Sequence, residues 1–287
     1  MSLSKRVFVI ISLILFLIII FLVTKIYEKK VTSLKTIEIV NNYKPFKNCS
    51  SFKLENSERY VRYYEKNNAL KHCDVVTRVN IGLDYGFYDF VKMTDIKKNK
   101  LILVNKYLKL NENYVPSNLE EIDSKYFING NNGVRLLKKE AKEAFERLSY
   151  DSIQNNTPVY GQSAYRDYLK QKTLYNIAVN NYGKEIADSD TARPGHSEHQ
   201  TGLAIDVSST KNGNMLQFEY TSSYHWMKNN AYKYGFILRY PKGKESIHGF
   251  IFESWHYRYV GVDVATDMHE NYPNLTYDEY YYIFLDK

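Results

Sequence analysis

The chain has 287 residues, 44% hydrophobic and 15% aromatic with 28 tyrosines, a composition that excludes a disordered chain and suits one large domain or a catalytic domain with a small addition. The formal charge is +7, but Lys5, Arg6, Lys25, Lys29 and Lys30 against Glu28 supply most of it, leaving 34 basic and 31 acidic residues elsewhere. That balance lacks the dense basic face that a phosphate backbone requires, so no nucleic-acid partner is expected.

Residues 1–6 form a short basic tail. Residues 7–23 (VFVIISLILFLIIIFLV) then run without a charge. As a helix this run covers about 26 Å, slightly short of a ~30 Å hydrocarbon core, and Thr24 and snorkelling lysines extend it. It exceeds the ~7–15 apolar residues of a signal peptide, and no small-x-small cleavage site follows. The segment 7–24 is therefore read as a single N-terminal transmembrane helix, an uncleaved anchor. Basic residues on both sides leave its orientation open. Cys49 and Cys73 are compatible with a disulfide outside the cytosol or with two free thiols.

Residues 25–112 read as a juxtamembrane segment without recognisable chemistry, with a helix over 57–65 and a strand over 101–104. From 113 to the end the patterning sharpens. Val134, Leu137, Ala141, Phe145 and Leu148 recur at the three- and four-residue spacing of an amphipathic helix. A strand near 158–161 feeds a second helix over 165–182, closed by Gly183. A buried strand over 203–207, a helix over 223–234 ended by Gly235, and strands over 236–240 and 255–260 follow. Helices come first and strands mostly later, which predicts an α+β domain with helices packed on a mainly antiparallel sheet.

Three polar residues stand where a bland core would not put them. Asp206 lies inside the apolar run LAIDV, where a carboxylate is costly unless paired or bound to a cation. His199 precedes it across a turn that Gly202 and Ala204 keep small, and His256 lies in the second half of the domain. Two imidazoles and a carboxylate make a zinc-ligand set that leaves a fourth position open. Glu253, three residues before His256, suits a base that activates water without itself binding the metal.

The pattern Ser-x-His-x-x-Gly-x-Ala-x-Asp, with Glu-x-Trp-His about fifty residues later, resembles the D-alanyl-D-alanine carboxypeptidases of the VanY type. The resemblance covers most of 114–287, and residues 75–88 and 103–106 are similar to the amino-terminal parts of such proteins. It implies Zn2+ held by His199, Asp206 and His256, with Glu253 as catalytic base. Ser163-Ala164-Tyr165-Arg166 is similar to the family's Ser-Gly-Tyr-Arg element, which implies that Arg166 stabilises the oxyanion or holds substrate; Ser197 falls at a position that contacts the substrate's terminal carboxylate. Ser254 departs from the proline of many relatives, which puts the rigidity of the turn holding Glu253 in question.

The implied activity is removal of the C-terminal D-alanine from peptidoglycan stem peptides. That chemistry places the domain on the extracellular, cell-wall side of the membrane. Two alternatives stand beside it: an L,D-carboxypeptidase acting on tetrapeptide stems, and a wall-binding module without catalysis. The remaining histidines, His72, His196, His225, His248 and His269, carry no assigned role.

Overall fold

The strand expected around Asp206 is the centre of the main sheet. The computed structural model describes residues 17–28, 30, 43–128, 134–210 and 215–286, and the chain divides into two compact units, 1–79 and 80–287. The second unit thus takes in residues 80–112, which the motifs alone did not join to the catalytic domain. In the first unit, residues 17–28 form a helix that exposes its apolar side chains. Residues 7–16 of the expected anchor lie outside the described residues, and among the described residues no helix is long and apolar enough to cross a membrane.

The rest of the first unit centres on helices α1 (Ser57–Lys66) and α2 (His72–Ile81). Tyr60, Val75, Val76 and Val79 are fully buried against Phe46. Cys49 and Cys73, left open by the sequence, are joined in a disulfide that closes a loop across a separation of 24 positions.

In the second unit, α3 (Lys139–Gln154) turns Ala141, Phe145 and Leu148 to the core at the expected spacing. Its first turn starts later than the apolar pattern suggested, because Leu136–Lys138 pairs as a short strand with Leu119–Glu121. The main sheet has four antiparallel strands, β1 (Tyr160–Ser163), β2 (Ala204–Ser208), β3 (Phe236–Leu238) and β4 (His256–Tyr259), in the order β1-β2-β4-β3. Two-residue alternation along β2 sends Ile205 and Val207 into the core shared with α3, and sends Asp206 to the opposite face. Three further helices frame the sheet: α4 (Tyr168–Tyr182), capped by the Asp167 carboxylate, α5 (Ser222–Asn230) and α6 (Val262–Glu270).

The expected strand at 101–104 is not one. Ile102, Leu103 and Val104 are buried, but their segment has arginine partners where a strand would have a ladder. Arg258 donates to the carbonyls of Lys100 and Ile102, and Arg239 lies 3.5 Å from that of Val104. The apolar run reported burial correctly and hydrogen-bond partners not at all.

Candidate metal and catalytic site

Register builds the site. Asp206 in the central strand lies directly opposite His256 of β4 and beside Ser163 of β1, so two of the expected ligands are cross-strand neighbours, whose Cβ atoms stand about 5 Å apart. His199 arrives from the short 3-10 turn Glu198–Thr201, which ends at Gly202 in the left-handed region (φ +67°). A Cβ on Gly202 would come within 2.8 Å of Leu119, so a glycine is required for the chain to reverse there.

The donor atoms of His199, Asp206 and His256 all lie within 4.8 Å of one another, and the three residues are buried. His199 Nε2 is 3.2 Å from Asp206 Oδ2, and His256 Nδ1 is 2.9 Å from Asp206 Oδ1. The Nδ1 of His199 donates to the Ala164 carbonyl at 2.7 Å, which leaves its Nε2 lone pair facing the cluster. Two imidazole nitrogens and a carboxylate oxygen converging at the base of a cleft are the donor set of a zinc site with an open position. Burial pushes the Asp206 carboxyl upward, but the flanking histidines outweigh it and hold the group well below the usual carboxylate range.

Glu253 stands beside this cluster and outside it, its Oε2 3.8 Å from His256 Nδ1. Burial, reinforced by Asp206, pushes its carboxyl up to about 8 against the pull of His256. The turn that carries it needs no proline at Ser254: the amide of His256 donates to the Glu253 carbonyl and the amide of Glu253 to the Tyr240 carbonyl. Arg166 lines the same cleft, its guanidinium donating to Gln171 Oε1 (2.8 Å) and Ser163 Oγ (3.0 Å) and lying 3.7 Å from Asp206. Ser197 lines it too.

All six residues expected from the motifs are thus brought to one cleft. Four others were missed. Gln171, a helix residue without a motif, orients Arg166. Glu198, Arg239 and Arg258 are wholly buried behind His256; the available signal was an arginine within each of the apolar strands FILRY and HYRYV, where a cation demands a partner.

Two further buried histidines stand apart from the His199–Asp206–His256 cluster. The Nδ1 of His196 bonds to the Asn105 carbonyl. His248 points Nε2 at the Pro241 carbonyl and accepts from the Phe250 amide at Nδ1, so a second proton would break the latter bond. Burial pushes each down to about 4. An unfolded histidine takes up its proton near pH 6.5, so stability is lost as pH falls from there toward 4, by about 3 kcal/mol for each fully buried group. Denaturant titrations at pH 7 and pH 4 should show a smaller loss in His248→Gln than in the parent; equal losses would remove His248 from the account.

A four-stranded antiparallel sheet with flanking helices, presenting two histidines, an aspartate and a separate glutamate in one cleft, defines a zinc peptidase. The comparisons with known proteins agree. The family model VanY, D-alanyl-D-alanine carboxypeptidase, matches residues 134–262. The protein YodJ of Bacillus subtilis (strain 168) is 40% identical over 186 residues, 64% of this chain and 67% of that one. Among solved structures, the LdcB LD-carboxypeptidase is 38% identical with a TM-score of 0.62, covering 68% of this chain and 91% of the other. A vancomycin-resistance D,D-pentapeptidase VanY variant in complex with Zn(II) is 30% identical with a TM-score of 0.53, covering 63% and 98%. The chain belongs to the VanY family of D-alanyl-D-alanine carboxypeptidases.

Proposed function

We propose that this enzyme removes the C-terminal D-alanine from peptidoglycan stem peptides, with His199, Asp206 and His256 as zinc ligands, Glu253 as general base and Arg166 and Ser197 as substrate-binding residues. The observation that carries the reading is the convergence of the three donor groups beside a protonatable glutamate that is not one of them. His199, Asp206 and His256 would hold the zinc, which would supply Lewis-acid chemistry toward a peptide carbonyl and a water. Glu253 takes the proton of the attacking water on its carboxylate and returns it to the leaving amine. Arg166, held by Gln171 and Ser163, offers a rigid fork to the developing oxyanion or the terminal carboxylate.

Two bonds fit this description. The D,D bond of a pentapeptide stem is the one named in the family description. The L,D bond of a tetrapeptide stem is favoured by the larger likeness to the LdcB LD-carboxypeptidase than to the VanY structure. Release of D-alanine from synthetic pentapeptide and tetrapeptide stems, with and without a chelator, tests both. No release from either, or release indifferent to metal removal, contradicts the proposal. Arg166→Lys keeps the charge but loses the fork; kcat/KM should fall on the order of 10²-fold, and an unchanged value would place Arg166 outside the reaction.

The same reading places the enzyme at the cell membrane, single-pass, anchored through residues 7–24 with the catalytic unit on the cell-wall side. The uncharged run and the Cys49–Cys73 disulfide, a bond that persists in oxidising compartments, support this. Protease treatment of intact wall-stripped cells should cleave the catalytic unit; protection would contradict the orientation.

A further inference from the structure

The ligand role of His256 leaves its second nitrogen to be explained. With Nδ1 toward Asp206, Nε2 faces away from the cluster and lies 3.5 Å from Glu198 Oε2. Among the described residues neither of these two buried atoms has a hydrogen-bond partner. The other oxygen of the same carboxylate is fully engaged: Oε1 accepts from Arg239 Nε and from Arg258 Nη1, both at 2.8 Å. The two arginines are fixed in turn. Arg239 donates to Asp278 at 2.6 Å, and Asp278 accepts from the Asn105 side chain at 2.7 Å. Arg258 donates to the backbone of Ile102 at 2.6 Å.

A buried glutamate needed only to neutralise arginines would direct both oxygens at them. This one reserves an oxygen for an imidazole, and a shift of about 0.5 Å brings the pair to hydrogen-bond distance. Metal-ligating histidines commonly give their other N–H to a carboxylate, which fixes tautomer and ring orientation.

We propose that Glu198 is a positioning residue of the zinc centre: it takes the Nε2–H of His256, so that Nδ1 is presented to the metal, and is itself aimed by Arg239 and Arg258. The single turn Glu198–Thr201 then supplies one ligand, His199, and the clamp on another. The clamp reaches outside the 134–262 family match, because Ile102, Asn105 and Asp278 hold the arginines. The segment 100–105 is thereby part of the metal site's support.

This inference rests on His256 being a zinc ligand, and a spectrum of the unsubstituted full chain separates the two claims. In ¹⁵N-histidine NMR, zinc addition should move the Nδ1 resonance of His256 while Nε2 keeps its proton. Zinc on Nε2 overturns the Glu198 role and leaves the ligand assignment standing; a His256 indifferent to zinc overturns both. In Glu198→Gln, chelator competition should show zinc affinity reduced about 10- to 100-fold. With zinc saturating, kcat should fall while KM changes less than about twofold. A folded variant with parental zinc affinity overturns the proposal. If the substitution prevents folding, the NMR arm on the parent chain decides alone.

Discussion

Glu253→Gln should leave a folded, zinc-containing protein whose kcat is lower by about 10²- to 10⁴-fold, the usual contribution of a positioned general base. The amide keeps the shape of the side chain but cannot take a proton. Folding should be spared for a specific reason: burial pushes the Glu253 carboxyl up to about 8, which favours its uncharged form, and the amide that replaces it is uncharged as well. Metal analysis, thermal unfolding and D-alanine release on one preparation test the assignment. Parental turnover would remove Glu253 from the chemistry, and loss of zinc would show that it serves as a ligand instead.

Asp206→Ala should act at the opposite end of the same logic, by losing the metal. Zinc binding to a structural set of ligands is worth about 10–16 kcal/mol, so one ligand of several is worth on the order of 3 kcal/mol, or roughly 10²-fold in affinity. Activity should disappear at trace zinc and return only in part at high zinc. A second effect follows from burial. His256 sits 2.9 Å from Asp206, and although desolvation lowers its basicity, the hydrogen bond to Asp206 and the nearby Glu198 carboxylate raise it to about 9. Without Asp206 the ring loses the neighbour that most favours its charged form. A variant that retains stoichiometric zinc and full activity would overturn the ligand set.

The two substitutions separate roles that proximity alone does not. Glu253 and Asp206 are both buried carboxylates against one imidazole, yet one is pushed up and the other held down. Asp206 lies between two histidines that favour its charge, whereas Glu253 has His256 on one side and carboxylates nearby. Environments that divide like groups in this way suit one to holding a cation and the other to carrying a proton, as the proposed roles require.

Much of this was legible in the order of residues. The spacing of Ala141, Phe145 and Leu148 disclosed a helix face, the short apolar run around Asp206 disclosed a buried strand, and Gly202 and Gly235 marked reversals, because each of these signals is local and set by backbone geometry. The candidate ligands could be named because a carboxylate inside LAIDV is costly unless compensated and because it occurs together with His199, His256 and Glu253 in the VanY-like motifs. Partners far apart in the chain could not be named. That Asp206 faces His256 depends on strand register, that Gln171 steers Arg166 depends on how α4 docks, and that Arg239 and Arg258 converge on Glu198 depends on segments 41 and 60 positions away meeting in one dry interior. Sequence determined which side chains needed a partner, since burial cost is a property of the side chain and its local pattern. Only the tertiary structure decided which partner each received, since that choice follows from packing the whole chain at once.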